Sequence, residues 1–365
     1  MKKLFTMILC LVFTFSVKSF SQTDPDHLLL KNYRPKSIYH IPVTIPAHAK
    51  YPVIDMHSHP YASSAAEIDS WVKTMDEMGI EKTIIFTYET GAGFDSVVNA
   101  YSKYKDRFEL WCGFDYTGYD KPGFGPAAVK ELEHCYKMGA KGVGELGDKG
   151  AGELYSKPVK GYGLHIDDPR MKPLLEKCAE LHMPINIHVA EDYWMFEKPD
   201  STNDGMMNAG VWHVDVTGDK LNHQQLIQSL ENAVRDNPKT LFIAAHFANL
   251  CYNLDEAGRL LDKYPNLYLD IAARYAETAT IPRYMAGFYS KYQDRLIYGT
   301  DMGMDKHMYQ TTFRILETSD EHFYETEMFN YHWSYSGFSL DNKILKKIYK
   351  TNALRIRKYE NEGKL

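Results

Sequence analysis

Eight short apolar runs, each followed by a segment of helical spacing, predict an α/β protein: a (β/α)8 barrel with an N-terminal leader, long loop insertions and a C-terminal helix. Two further observations narrow the class. Several of the runs end in a histidine, glutamate or aspartate, which is where a parallel barrel gathers its active site. The chain of 365 residues is long for one ordinary domain and normal for a barrel with insertions.

At the amino end, Met1-Lys2-Lys3, the apolar run Leu4 to Val17 and Ser19-Phe20-Ser21 have the basic, apolar and small-residue order of a secretory signal peptide. Residues 1–21 are therefore expected to be removed, leaving a periplasmic or secreted protein. The run is too short for a membrane span, and Cys10 lies inside it rather than at its end, so no membrane anchoring is expected. Removal takes away Lys2, Lys3 and Lys18 and no acid, which moves the formal charge from −6 to −9. Nucleic acid is disfavoured as a partner by that charge, and a small-molecule substrate is expected instead. Four cysteines remain, Cys112, Cys135, Cys178 and Cys251, scattered without paired spacing. They signal neither a disulfide framework nor a cysteine zinc site, and buried thiols are the expectation.

Residues 22–50, with prolines at 25, 35, 42 and 46 and little periodicity, read as an extended leader, and residues 51–365 as the barrel. The first strand is Val53-Ile54-Asp55-Met56-His57-Ser58-His59, ended by Pro60. A helix spans 63–78, with Ile68, Trp71, Val72, Met75 and Met78 on one face and Gly79 as its stop. Strand two covers 82–87 and strand three 108–114, with a helix near 95–104 between them. The amphipathic stretch 127–138 ends at Gly139 and delivers strand four, Gly142-Val143-Gly144-Glu145-Leu146.

Asp168-Pro169 caps the next helix, and 184–189 is strand five with His188 near its end. Residues 191–220 form a long insertion whose aromatic content suggests a lid. Helix 224–235 leads to strand six, 241–246, and helix 255–263 to strand seven, 267–272. A helix near 282–289 then leads to strand eight, Leu296 to Asp301. Residues 323–338 are a second aromatic rim, and 340–359 is a terminal helix.

Gathered by position, the strand-end residues are His57, His59, Glu145, His188, His246 and Asp301. Side chains two apart on a strand share a face, so His57 and His59 converge on one point. Imidazole with carboxylate suits zinc or another divalent first-row ion, and a catalytic site leaves one position open for water. A single such histidine is more often a hydrogen-bonded structural side chain; six at the ends of the right strands are not.

In this order the residues resemble the metal-dependent amidohydrolase superfamily, most closely the amidohydrolase-related branch with its lactonases and its aminocarboxymuconate semialdehyde and resorcylate decarboxylases. His57-Ser58-His59, His188 in Ile-Asn-Ile-His, His246 in Ile-Ala-Ala-His and Asp301 in Tyr-Gly-Thr-Asp carry the resemblance, over roughly residues 51–358. It implies that His57, His59, His188 and Asp301 hold a metal, most simply zinc, and that His246 polarises the substrate or moves protons. Glu145 in Gly-Glu-Leu-Gly is similar to the strand-four glutamate that bridges two metals in TatD-type nucleases. The superfamily's carboxylated strand-four lysine has no counterpart here. One ion is expected rather than two, with Glu145 reserved for a second.

The chemistry implied is hydrolysis of a small lactone, ester or amide by a metal-activated water, with Asp301 accepting the proton and His246 assisting. Arg274, in Asp-Ile-Ala-Ala-Arg, either holds a substrate carboxylate or forms a structural salt bridge. The alternative reaction is non-oxidative decarboxylation of a small acid on the same metal. A non-catalytic metal-dependent binding protein is the third reading, and the complete ligand set speaks against it.

Overall fold

The computed structural model describes residues 24–363, so the expected signal peptide lies outside the described residues. The chain divides after Pro35. Residues 24–35 hold a short 3-10 turn at Leu30–Asn32. Everything from Lys36 onward belongs to the second unit. There the rest of the leader is extended and tied down by side chains: Asp320 accepts from Thr44 N and Oγ1 at 2.7 and 2.9 Å, and Glu317 accepts from Lys50 N at 2.9 Å.

Parallel strands and helices then alternate. β1 is Val53–Ser58, α1 Ala65–Met78, β2 Ile80–Phe86, α2 Gly91–Tyr101, β3 Phe108–Trp111, α3 Phe124–Lys137 and β4 Val143–Asp148. α4 is Lys172–Glu180, β5 Ile185–Val189, α5 Met206–Trp212, α6 His223–Asp236, β6 Phe242–Ala244 and α7 Leu254–Lys263. β7 is Leu267–Asp270, α8 Tyr275–Thr278, α9 Pro282–Lys291, β8 Leu296–Ile297, α10 Lys306–Glu317, α11 Asn342–Lys346 and α12 Asn352–Glu362. Strands pair in order from β1 to β3 and from β4 to β8, all in parallel.

Two seams close the ring. Cys112 N donates to Gly142 O at 3.1 Å and Gly144 N to Cys112 O at 3.0 Å, joining β3 to β4. Met56 N donates to Tyr298 O at 2.9 Å and Asp301 N to His57 O at 2.8 Å, joining β8 back to β1. Asp55 clasps that second seam: its carboxylate accepts from Thr300 Oγ1 at 2.7 Å, Thr300 N at 3.0 Å and Tyr309 Oη at 3.2 Å. The strands are buried on both faces, as a parallel sheet under a helical coat must be: β1, β4 and β5 hide every residue. Among the described residues, Cys112, Cys135, Cys178 and Cys251 are free and buried.

Helix signals act where the sequence places them. Ser64 and Glu67 make a reciprocal capping box at the start of α1, Gly79 ends it at φ 78°, and Asn222 with Gln225 repeats the box at α6. Two differences from the sequence pattern have physical causes. Strands six and eight are shorter than their apolar runs because the backbone leaves the sheet in left-handed conformations, at His246 through Asn249 and at Asp301. α10 is absent from the sequence pattern above although Met308, Thr312 and Ile315, and Tyr309, Phe313 and Leu316, fall at helical spacing; Thr311, Thr312 and Ile315 are poor helix formers, and burial holds them in the helix. The terminal helix is α11 and α12 joined by one wide turn at Lys347–Thr351.

Candidate metal centre

Strand ends β1, β4, β5, β6 and β8 bring His57, His59, Glu145, His188, His246 and Asp301 to one place. Non-glycine residues with positive φ follow each of the last four strands: Ala190 at 62°, His246 at 58°, Ala273 at 55° and Asp301 at 66°. Such backbone costs on the order of 1–3 kcal/mol per residue and persists where the surroundings over-determine it, as at functional sites. Here it turns His246 and Asp301 inward as the chain leaves the sheet.

Glu145 is the hub. Its Oε1 lies 3.0 Å from His188 Nδ1, 3.3 Å from His246 Nε2 and 3.6 Å from His57 Nε2. Its Oε2 lies 3.6 Å from His59 Nε2 and accepts from the Tyr88 hydroxyl at 3.1 Å. Asp301 Oδ1 stands 3.1 Å from His59 Nε2 and 3.6 Å from His57 Nε2. Ligand-type atoms thus fall into three overlapping triads, His57 with His59 and Asp301, Glu145 with His188 and His246, and His57 with His246 and Asp270. His188 joins the second triad rather than the first. The site opens to solvent at Asp301, whose side chain is 29% exposed, while His57 is fully enclosed.

Three of the imidazoles have their tautomer set from behind. His57 Nδ1 meets Asp270 Oδ2 at 2.9 Å, His59 Nδ1 meets Phe86 O at 3.2 Å and His246 Nδ1 meets Ala272 O at 2.9 Å. Carbonyl and carboxylate oxygens only accept, so Nδ1 carries the proton and each Nε2 presents a lone pair. Those lone pairs point at carboxylate oxygens, acceptor against acceptor, and His57 Nε2 is buried with no hydrogen-bond partner. A cation between them resolves the arrangement, and a backbone or carboxylate acceptor behind a ligating histidine is what metal sites use to orient the ring. The residues fit a divalent ion.

Electrostatics say the same. Burial lowers His57, but the charge and hydrogen bond of Asp270, then Glu145 and Asp301, outweigh it and hold the ring up at about 10. Burial likewise opposes His188, while Glu191 and Glu145 raise it to about 9. Glu145 is pushed up by burial and pulled well below the usual carboxylate range by His188, His246 and His57. The carboxylates demand positive charge among the rings, and a proton or a metal ion supplies it. His246 goes the other way: burial, then His188, keeps it below its ordinary value, so it stays neutral.

Several residues of the site do not stand out in the sequence. Asp270 ends β7 and is buried; it holds His57, accepts His246 N at 3.0 Å and is held in turn by Asn186 Nδ2 at 2.9 Å. Its one sequence signal is its place at a strand end, in the same Asp-Ile-Ala-Ala-Arg stretch that contains Arg274. Tyr88, just past β2, stacks on His59 with ring centres 5.0 Å apart and planes within 8°. Glu191 lies 3.4 Å from His188 Nε2. Arg274 is buried, giving Asn249 Oδ1 two hydrogen bonds at 2.6 and 3.0 Å and Glu191 Oε2 one at 3.3 Å.

The model of the family described as "Amidohydrolase" matches residues 54–356, the whole barrel with its strand-end residues. Among solved structures, the fold is similar to that of an uncharacterized TIM-barrel protein from Bordetella bronchiseptica, at 15% identity and TM-score 0.52 over 85% of this chain and 100% of that one. It is similar to a 2,6-dihydroxybenzoate decarboxylase from Rhizobium, at 15% identity and TM-score 0.52 over 85% and 99%. It is also similar to a 5-carboxyvanillate decarboxylase from Novosphingobium aromaticivorans complexed with manganese, at 14% identity and TM-score 0.50 over 87% and 100%. At these identities the likeness speaks for the fold. No curated protein matches the chain. On the family match across the barrel, the chain belongs to the amidohydrolase family and is a metal-dependent, amidohydrolase-related enzyme.

Proposed function

We propose that the protein is a secreted hydrolase of a small, uncharged lactone, ester or amide, using one divalent ion, zinc in the simplest case. The observation that carries the reading is the acid-rich, acceptor-lined site whose paired cations are already committed: Arg274 and Lys149 both pair with Glu191. A substrate carboxylate, which decarboxylation requires, would enter beside Glu145 and Asp301 with the divalent ion to receive it but neither of those cations. A neutral carbonyl meets no such penalty.

A bound divalent ion supplies a polarised carbonyl and a water acidified from about 15.7 towards 7. The chain supplies the rest. Asp301, the most open of the carboxylates, accepts the proton of the attacking water. His246 presents a bare Nε2 because Nδ1 donates to Ala272 O, so it acts as a proton acceptor and relay; polarising a carbonyl would need a second proton that burial opposes. Tyr88 holds Glu145 and walls His59.

Elemental analysis of the purified protein, followed by a screen of lactones, aryl esters and amides beside a carbon dioxide assay on aromatic acids, tests this reading. Turnover of a neutral carbonyl compound with no gas release is expected; gas from an acid with no hydrolysis would replace the reading with decarboxylation. Secretion is tested by amino-terminal sequencing of protein from the host envelope, where a start at Gln22 is expected and an intact Met1 would reject it.

A second reading of the ion count rests on Glu145, which belongs to the triad with His188 and His246 and reaches His59 Nε2 with its other oxygen at 3.6 Å. Two equivalents of metal in the wild type falling to one in Glu145→Gln would establish a bridged pair; one equivalent in both supports the single ion.

A further inference from the structure

The loops after β5, β6 and β7 enclose a cavity of about 460 Å3, and none of its lining residues belongs to the metal centre. Four carboxylates face it, Asp192, Glu197, Asp204 and Glu277, against one cation, Lys198. The Lys198 ammonium sits on the surface, 3.0 Å from Asp200. Buried Arg274 acts on Asp192 and Glu277 from nearby and offsets part of their charge, while its own hydrogen bonds go to Asn249, Glu191 and its neighbour's carbonyl. Burial, opposed by Arg274, pushes Glu277 up to about 7, so its charge is partial near neutral pH; with Asp192, Glu197 and Asp204 the cavity still keeps a net negative charge.

Two buried polar atoms in this wall have no partner: Glu277 Oε2 and Nε1 of Trp194, a side chain 8% exposed. The other Glu277 oxygen accepts from the Tyr331 hydroxyl at 2.6 Å. Asp192, 2% exposed, has as donors its neighbour's backbone N–H at 2.8 Å and the weak thiol of Cys251 at 3.3 Å. Both carboxylates are therefore short of donors from the protein itself.

Aromatic walls complete the cavity. Tyr193 and Tyr252 stack with centres 4.3 Å apart and planes within 20°. Trp333 stacks on Tyr331 at 4.1 Å, its indole N–H fixed to Ala276 O at 3.2 Å. Hard inorganic cations require a shell of oxygens at short range, which ring faces do not offer. A weakly hydrated organic cation gains from both kinds of wall, the ring faces through their quadrupoles and the carboxylates through charge.

We propose that this cavity binds an organic ammonium ion, with its charge against Glu277 and Asp192 and its carbon surface on the stacked aromatic side chains. The site goes beyond the hydrolase reading and does not depend on it.

Calorimetric titration of the full chain as purified, with choline and with its uncharged isostere 3,3-dimethylbutan-1-ol, tests the proposal. Choline is expected to bind at least about tenfold more tightly than the isostere. Glu277→Gln is expected to remove most of that preference while metal content and binding of the isostere stay unchanged. Trp333→Leu is expected to weaken both ligands. Equal affinity for choline and isostere in the wild-type protein, which needs no variant to fold, would overturn the proposal. So would an unchanged choline preference in Glu277→Gln, or displacement of choline by an equal concentration of sodium or calcium.

Discussion

Two buried charged clusters share the catalytic end of this barrel, and they differ in completeness. Around Arg274, guanidinium donors meet Asn249 and Glu191, Lys149 adds a second cation to Glu191, and the Glu191 carboxyl, raised by burial, is drawn far below its usual range by His188, Lys149 and Arg274. In that cluster each cation has a carboxylate partner. Around Glu145, lone pairs of His57, His59 and His246 face carboxylate oxygens, and balance requires something from outside. Buried polar groups that satisfy one another hold structure, while those arranged as acceptor against acceptor mark where a ligand belongs. His188 touches both clusters, with Nδ1 towards Glu145 and Nε2 towards Glu191.

The difference breaks first, and most strongly, at Asp301. Asp301→Ala removes the proton acceptor from the incomplete cluster, and kcat on the best substrate should fall by about 10²–10⁴. The thermal midpoint should barely move, because this side chain is the most open of the group. Arg274→Met does the reverse. It leaves Glu191 buried beside an apolar side chain, and stability should fall by about 3–5 kcal/mol, measured by denaturant unfolding, with metal per chain retained. Loss of metal in step with stability would show that the two clusters act as one unit through His188.

These assignments were legible in the sequence to different depths. The barrel was, because eight apolar runs and their helical partners repeat a local pattern, and so were the candidates His57, His59, Glu145, His188, His246 and Asp301, because each stands in or just past one of those runs. Asp270 was not. Its carboxylate ends an ordinary apolar strand, and its partner His57 is distant in sequence, so only ring closure reveals the pairing. Nor was the pairing of Arg274, for which a substrate role and a structural one look alike until Asn249 and Glu191 are seen beside it. The left-handed turns at His246 and Asp301 also escape pattern reading, since Asp and His are enriched at positive φ but adopt it in only a small share of cases.

Asp270 sharpens the comparison at the next level. It stands behind His57 as Asn249 stands behind Arg274, but it serves the incomplete cluster. Asp270→Asn keeps the shape, removes the charge that raises His57, and turns one of two acceptor oxygens into a donor; in the wild type one oxygen takes His57 Nδ1 and Asn186 Nδ2, the other His246 N and Ala272 N. Metal affinity should fall by about 10–100-fold, read by competition with a chelator, with a smaller change in stability. Unchanged affinity would place Asp270 with the structural groups.

The smallest effect expected is a pH dependence that appears only without metal. In the metal-free protein, His57 and His188 are raised to about 10 and about 9 from an ordinary value of 6.5. A group whose folded value is raised contributes stability that is fully present below about 6.5 and is lost as pH climbs through the folded value. Glu145, Asp301 and Asp270, each held low against the effect of burial by neighbouring histidines, contribute stability that is present above about 4.5 and lost on acidification. His246, kept low by burial, adds to that acid-side loss below about 6.5. The metal-free protein should therefore be most stable near pH 6, and its thermal midpoint should fall by a few degrees between pH 7 and 10. Saturation with zinc replaces the proton by a charge that does not titrate, so the alkaline slope should flatten. An alkaline slope that persists unchanged in the zinc-loaded protein would mean that the histidines, not a metal ion, carry the positive charge of the centre.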